Sequence, residues 1–458
     1  MQRAGEQVSG TGAAARYAEA VPRYTSYPTA PHFHAGVTGE TFRGWLAETG
    51  EGEDLSLYVH IPFCDRLCWF CACHTKMTRR YEPVAAFLDA LFCEIRTVGE
   101  ILDGRGRVRA LHFGGGSPTM LRADDIVRLG AALKRAFHFA SDAEISVELD
   151  PNDMDETRFD ALAEIGMTRA SLGVQDFDPR VQKAINREQT FEQTKAVVDG
   201  VRARGVRSVN LDLLYGLPHQ TLQSVSDTIR QALTLSPDRI ALFGYAHVPW
   251  FKKHQTMIDE AWLPGPEQRF EQQQATARVI LEAGYQTIGI DHFAKPDDPL
   301  AVAAREGRLN RNFQGYTEDA CRRLIGLGPS SVSRLPRGYA QNMPATAQYE
   351  RSVRQGELAT VRGIALSEED HARAWVIERL MCDFAFSGDE AIQRFGACGQ
   401  RIVEEARALL QERGNATGLR EHRGLFMVEK EARPLVRSTA ALFDQYLKRG
   451  GARHSAAV

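Results

Sequence analysis

The chain is short of net charge, of long apolar runs and of dispersed cysteines, and each shortage removes a class of protein. A formal charge of −3 over 458 residues gives no electrostatic ground for binding nucleic acid or an anionic membrane. No run of about 18 apolar residues occurs, so no membrane-spanning helix is expected. The first twenty residues, MQRAGEQVSGTGAAARYAEA, lack the apolar stretch of a secretory signal, and a cytoplasmic protein is expected. They read as a small, polar, loose tail. There is no repeat of fixed period and no low-complexity block. Eight cysteines stand at 64, 68, 71, 73, 93, 321, 382 and 398, and four of them fall within ten positions. A disulfide framework spreads its cysteines over a small secreted chain, which this is not. The four scattered cysteines read as buried packing.

What is present is the composition of a folded protein, 43% hydrophobic and 25% charged, at a length where one core usually stops growing. Residues 21–36, VPRYTSYPTAPHFHAG, hold three prolines and read as an irregular arm. From 55 onward, strand-like runs alternate with helical stripes. The runs are LSLYVHIPF (55–63), VRALHF (108–113), EISVEL (144–149), RASLGV (169–174), SVNLDLLYG (208–216) and RIALFGYAHV (239–248). Between them, helical periodicity covers 83–102 and the Ile126, Leu129, Leu133, Phe137 stripe. Further helices fit 155–165, 190–204 and 221–235. Alternation repeated about six times predicts an α/β fold, a full or partial barrel of βα units with parallel strands and right-handed crossovers. In such sheets the chemistry sits at the carboxyl ends of the strands. Past about 300 the alternation fades. Residues 366–412 and 431–449 read as helical, with a possible hairpin over 418–428. The expected organisation is an extended N-terminal arm (1–50), the barrel (51–345) and a smaller, mostly helical C-terminal domain (346–458).

HIPFCDRLCWFCACHT (60–75) is the most informative segment. Its C-x3-C-x2-C-x-C spacing follows a predicted strand. Thiolates are natural ligands of iron–sulfur clusters, and a short loop can wrap three of them around one cubane. Structural zinc favours two separated ligand pairs, and packing does not call for four thiols on one loop. Spacing alone does not say which three of the four bind.

HFGGGSPT (112–119) ends the next strand. Three glycines let the backbone approach a ligand closely, but the segment lacks the terminal Lys-Ser/Thr of a phosphate loop. A tight strand–helix turn would use the same glycines. Later strands end in polar residues: Glu148, Gln175, Asp212 and His247. Burying such groups costs several kcal/mol unless they are paired, so a series of them suggests a polar ligand at the barrel mouth. Arg187 suits a carboxylate partner. Any one of these alone reads more simply as a structural hydrogen-bonder.

Cys64, Cys68, Phe70 and Cys71 match C-x3-C-x-aromatic-C, the signature of the radical S-adenosylmethionine superfamily. With Cys73 the loop resembles that of the oxygen-independent coproporphyrinogen III oxidases. RYTSYPTAPHF (23–33), LYVHIPFC (57–64), GVQDF (173–177), NRE (186–188), DLLYGLP (212–218), YAH (245–247), DHFA (291–294), RNFQGYT (311–317) and YAQN (339–342) carry the resemblance across nearly the whole chain. It implies a 4Fe–4S cluster on Cys64, Cys68 and Cys71, with Cys73 not a ligand and one iron left for S-adenosylmethionine. It also implies two S-adenosylmethionine molecules. The one at the cluster would touch Tyr58, Gly115, Glu148 and Val332. The second would touch Phe70, Gly116, Ser117, Gln175, Arg187, Asp212 and Ala246. Val332 replaces another aliphatic residue, so its contact would be backbone or packing. Pro329 and 334–338 depart from the family pattern.

The implied activity is anaerobic decarboxylation of coproporphyrinogen III to protoporphyrinogen IX in heme biosynthesis. An electron donor and an electron acceptor would be outside partners, and the chain is expected to act as a monomer. The arm and the C-terminal domain would cover the barrel mouth. Arg23 and Arg311 are candidates to receive propionates, against solvated or structurally paired arginines. The alternatives are a heme chaperone of the same superfamily, a ring-opening radical methyltransferase acting on heme, and a ferredoxin-type electron carrier. Relatives of the chaperone kind lack the fourth cysteine and the YTSYPTA arm, both present here.

Overall fold

The structure, a computed structural model, describes residues 21–447. The expected loose tail over 1–20 and the last residues of the 431–449 helical stretch lie outside the described residues. The central sheet has twelve strands: β1 (Asp54–Ile61), β2 (Arg107–Gly115), β3 (Phe139–Leu149), β4 (Arg169–Gln175), β5 (Ser208–Tyr215), β6 (Arg239–Gly244), β7 (Gln286–Ile288), β8 (His292–Ala294), β9 (Arg323–Leu327), β10 (Val332–Leu335), β11 (Gly338–Asn342) and β12 (Thr360–Ala365). Their order across the sheet is β12-β11-β10-β9-β1-β2-β3-β4-β5-β6-β8-β7. β1 to β6 run parallel, each paired with the next. This is the predicted α/β partial barrel of six βα units.

The crossover helices form where the apolar stripes lie. In α2 (Glu82–Leu102), Phe87, Leu91, Ile95 and Val98 are buried against the sheet. Each such side chain contributes about 1.5–3 kcal/mol. Helix starts are set locally. Thr190 with Gln193 and Thr221 with Ser224 form reciprocal caps, each satisfying backbone N–H groups that have no helical acceptor.

Three features differ from the sequence reading. The arm is not extended throughout 1–50: α1 (Gly39–Ala47) is a helix, capped by Thr38 and Thr41 and burying Phe42, Trp45 and Leu46. The sheet continues past 345 to β12. A further strand, β9, lies parallel beside β1, and the antiparallel β10 to β12 extend from it. In the C-terminal region the hairpin Leu419–His422 and Leu425–Val428 is present, but Ala385–Ser387 joins it as a third strand.

Two contacts tie the parts together. Glu94, buried on α2, accepts hydrogen bonds from Tyr349 Oη (2.6 Å), Asn342 Nδ2 (2.6 Å) and Gly328 N (2.7 Å). It thereby joins the barrel to the antiparallel extension. Tyr24 and Tyr27 of the arm sit in the core of the C-terminal region, and Tyr24 Oη donates to Asp444 at 3.0 Å.

Candidate functional site

The carboxyl ends of the parallel strands open into a cavity of about 960 Å³. The cysteine loop forms one wall. It leaves β1 at Ile61 and is held by contacts far away in sequence. Trp69 N donates to Ile185 O at 2.9 Å, and Asn186 Nδ2 donates to Leu67 O at 2.8 Å. From the other side, Gln255 Nε2 donates to Phe70 O (2.9 Å), His254 Nε2 to Cys71 O (2.7 Å) and Lys252 Nζ to Cys73 O (2.8 Å). These bonds satisfy loop carbonyls that would otherwise lack a donor at the cavity wall.

Cys64, Cys68, Cys71 and Cys73 all line this cavity as free thiols. Burial pushes Cys64 and Cys68 above the ordinary thiol range, with Arg187 opposing it. Cys71 is held lower, by hydrogen bonds from Cys73. Among the described residues, no three His, Cys, Asp or Glu side chains converge where a single metal ion could sit. One zinc needs its sulfurs about 2.3 Å from a common point. A cubane takes each thiolate on a different iron and needs space between them. Cys64, Cys68 and Cys71 around one open cavity supply the thiolate set that such a cluster takes.

The glycine turn forms the adjacent wall. Gly115 has φ of +114°, and a Cβ there would stand 2.6 Å from the His60 ring. A Cβ on Gly116 would stand 2.5 Å from Phe63 O and 3.0 Å from Cys64 Sγ. Glycine is required here by the approach of the turn to the cysteine loop, as well as by the turn itself. Ser117, buried, donates to Asp153 at 2.7 Å.

Glu148, at the end of β3, faces the cavity. It accepts from His112 Nε2 and Gly115 N, each at 3.1 Å. Burial raises its pKa, but these donors outweigh it, and the carboxyl is held below the usual range. Asp212 on β5 behaves oppositely. Burial first, then the charge of Glu148, pushes it up to about 6, although Asn210 and Ser171 donate to it at 2.9 and 3.1 Å. One carboxyl held below its usual range and one pushed above it thus share the cavity.

Gln175 ends β4 at a register shift, with φ of +66°. A non-glycine residue in this conformation is strained, and the Gln175 side chain lines the cavity. Arg187 is buried, 3.1 Å from Asp150, and donates to Gly173 O at 2.8 Å. Its Nη1 lies 3.7 Å from Cys68 Sγ.

The structure therefore brings Cys64, Cys68, Cys71, Phe70, Gly115 and Gly116 to one cavity. Ser117, Glu148, Gln175, Arg187, Asp212 and Ala246 line the same cavity. Tyr58 is one step behind: its ring stacks on His112 at 5.8 Å and its Oη meets His60 Nδ1 at 3.0 Å. Val332 does not line the cavity; it packs with Phe33, Tyr339 and Ile364. His247 is occupied by Tyr245 Oη and Glu260.

Sequence reasoning missed Asp150, His112, Asp153 and Gln255. Asp150 and His112 stood beside chosen residues, in SVELDP and HFGGG. Gln255 carried no local signal, because its partner lies 185 positions away.

Comparison with known proteins places these features in context. Residues 58–232 match the radical SAM superfamily. The chain is 48% identical over 443 residues to the oxygen-independent coproporphyrinogen III oxidase of Paracoccus denitrificans, covering 96% of each chain. It is 46% identical to that of Bradyrhizobium diazoefficiens, covering 96% of this chain and 98% of the other. The structure matches the solved coproporphyrinogen III oxidase of Escherichia coli, described as a radical SAM enzyme. The TM-score is 0.88 at 39% identity, over 93% of this chain and 100% of that one.

Proposed function

Because the chain belongs to the oxygen-independent coproporphyrinogen III oxidases, which are radical S-adenosylmethionine enzymes, we propose that it converts coproporphyrinogen III to protoporphyrinogen IX in heme biosynthesis. The observation that carries this reading is the single cavity at the strand ends that gathers the cysteine loop, the glycine turn and the polar residues of β3, β4 and β5.

Cys64, Cys68 and Cys71 would hold a 4Fe–4S cluster. When bound, the cluster supplies the electron that splits the sulfonium C–S bond of S-adenosylmethionine, which yields a carbon radical able to remove an unactivated hydrogen atom. A propionate β-carbon carries no acidic proton, so no carboxylate or histidine of this chain could open it as a base. The chain's residues bind and orient. Gly115 presents backbone close to the cluster loop, and Glu148 offers a fixed negative charge to a cationic ligand group. Gly116, Ser117, Gln175, Arg187 and Asp212, with Phe70 and Ala246 beside them, would seat a second S-adenosylmethionine. Tyr58 would act through His112 and Glu148, and Val332 by packing.

Each reacting propionate loses a hydrogen atom, carbon dioxide and one further electron. The donor that reduces the cluster and the acceptor of that last electron are partners outside the chain. The reading extends to an N-terminal arm, a barrel whose sheet runs on to β12 and a C-terminal domain beyond it, acting as a cytoplasmic monomer. Among the described residues no helix is long and apolar enough to cross a membrane.

The test is anaerobic reconstitution with iron and sulfide, followed by one assay for 5′-deoxyadenosine and for vinyl-bearing porphyrinogen. Formation of both supports the reading. Tight heme binding without turnover would replace it with the chaperone reading.

A further inference from the structure

Behind Gly244, Tyr245 and Ala246 lies a second cavity of about 140 Å³. It adjoins the main one, since Arg23, Phe243 and those three residues line both. Four arginines meet there, drawn from separate parts of the chain. Arg23 comes from the arm, Arg269 from the helix Pro266–Glu282, Arg311 from the strand Asn310–Asn312 and Arg437 from the helix Val436–Ala441. Among the described residues the one carboxylate in the wall is Asp291, and His292 Nδ1 already engages it at 2.6 Å.

These guanidiniums give N–H groups to backbone carbonyls. Arg23 Nη2 donates to Gly244 O (3.3 Å), Arg269 Nη2 to Tyr245 O (2.6 Å) and Arg311 Nη2 to Arg23 O (3.3 Å). Arg437 Nη2 donates to Val21 O (2.8 Å). Arg311 is only 7% exposed, yet among the described residues its Nε and Nη1 have no hydrogen-bond partner, and neither does Arg269 Nε. Buried donors without acceptors are costly, and so is a cluster of like charges in a closed space. Burial, then repulsion from Arg23 and Arg311, lowers Arg437 to about 10. Such an arrangement is retained where a ligand of opposite charge completes it. Guanidinium matches a carboxylate in a two-pronged way.

The volumes separate the two roles. About 140 Å³ admits carboxylate arms but not a macrocycle, whereas the adjoining 960 Å³ can hold the macrocycle. We propose that this arginine cavity anchors the non-reacting propionate carboxylates of the tetrapyrrole while a reacting propionate faces the cysteine loop. The proposal rests on the substrate reading given above. The non-reacting carboxylates persist through the reaction, so the same anchor can hold the macrocycle while either reacting propionate is presented. It also couples arm, barrel and C-terminal region to one ligand.

The test uses the full-length protein and needs no turnover. Coproporphyrin III, the stable oxidised macrocycle with the same four propionates, is titrated by fluorescence against wild type, Arg311→Gln and Arg269→Gln. The uncharged tetraamide of the same macrocycle is the control, and thermal melting checks the fold. Each variant is expected to weaken coproporphyrin III at least tenfold and to leave the tetraamide within twofold of wild type. The two arginines sit on different elements, so loss of fold in one variant leaves the other as the test. Wild-type affinity for coproporphyrin III in a folded variant would overturn the proposal, as would equal loss of both macrocycles. If wild type bound neither macrocycle, the substrate reading itself would fail and the anchor with it.

Discussion

Replacing Gly116 by alanine tests how closely the glycine turn is fitted to the cysteine loop. The new Cβ would stand 2.5 Å from Phe63 O and 3.0 Å from Cys64 Sγ. The first distance is about 1 Å short of ordinary contact. Neither side can yield freely. Gly116 N donates to Ile61 O at 2.8 Å, and Phe63 O accepts from Ser117 N at 2.8 Å. Relief must therefore come from moving the loop that carries Cys64. Overpacking of this kind costs about 1–3 kcal/mol, and a shift of about 1 Å at reacting groups costs roughly 100-fold in rate. The expected result is a fall of a few degrees in the melting temperature of the metal-free protein. Iron and sulfide per chain should fall after reconstitution, and 5′-deoxyadenosine formation should drop about 100-fold. Gly44→Ala is the control. It lies within α1, where an added Cβ meets nothing within 4 Å, so it should be neutral or slightly stabilising. Full iron content and wild-type rate in Gly116→Ala would refute the argument.

Glu94→Ala leaves Tyr349, Asn342 and Gly328 without their acceptor, and should cost about 3–5 kcal/mol in denaturant unfolding; a loss below about 1 kcal/mol would contradict it. Asp212 titrates near 6 when folded against 3.8 ordinarily. The folded state therefore holds an extra proton between those values, and stability falls as pH rises through about 6. Asp212→Asn escapes that loss, so it should gain on wild type between pH 4 and pH 8 by up to about 3 kcal/mol; a difference that does not vary with pH would be the wrong outcome. Gln255→Ala removes the donor to Phe70 O and Ala246 O. It should lower cluster retention in an iron-release assay while leaving the far-ultraviolet dichroism unchanged.

The residues best read from sequence are those whose work is local. The four cysteines and the glycine turn each occupy a few consecutive positions at a strand end, so their spacing already expresses the geometry. The six parallel strands were legible because short runs rich in strand-forming residues alternate with helical stripes. The helix α1 was hidden by the preceding prolines, which suggested an irregular arm and drew attention from the Phe42, Trp45, Leu46 face. The placement of β9 beside β1 was hidden too, because pairing between Leu55 and Arg323 leaves no mark on either segment.

By itself, then, the amino-acid order determined the layered α/β scaffold, the thiol loop and the kind of cofactor that loop can hold. All of these depend on short-range spacing and on the pattern of burial. Tertiary structure alone decided that Gln255, His254 and Lys252 hold the loop carbonyls. It also decided that Glu94 joins α2 to the antiparallel strands, and that Arg23, Arg269, Arg311 and Arg437 face one small cavity. These groups are far apart along the chain, and only the closing of the sheet and the docking of the C-terminal region bring their charges within reach of one another.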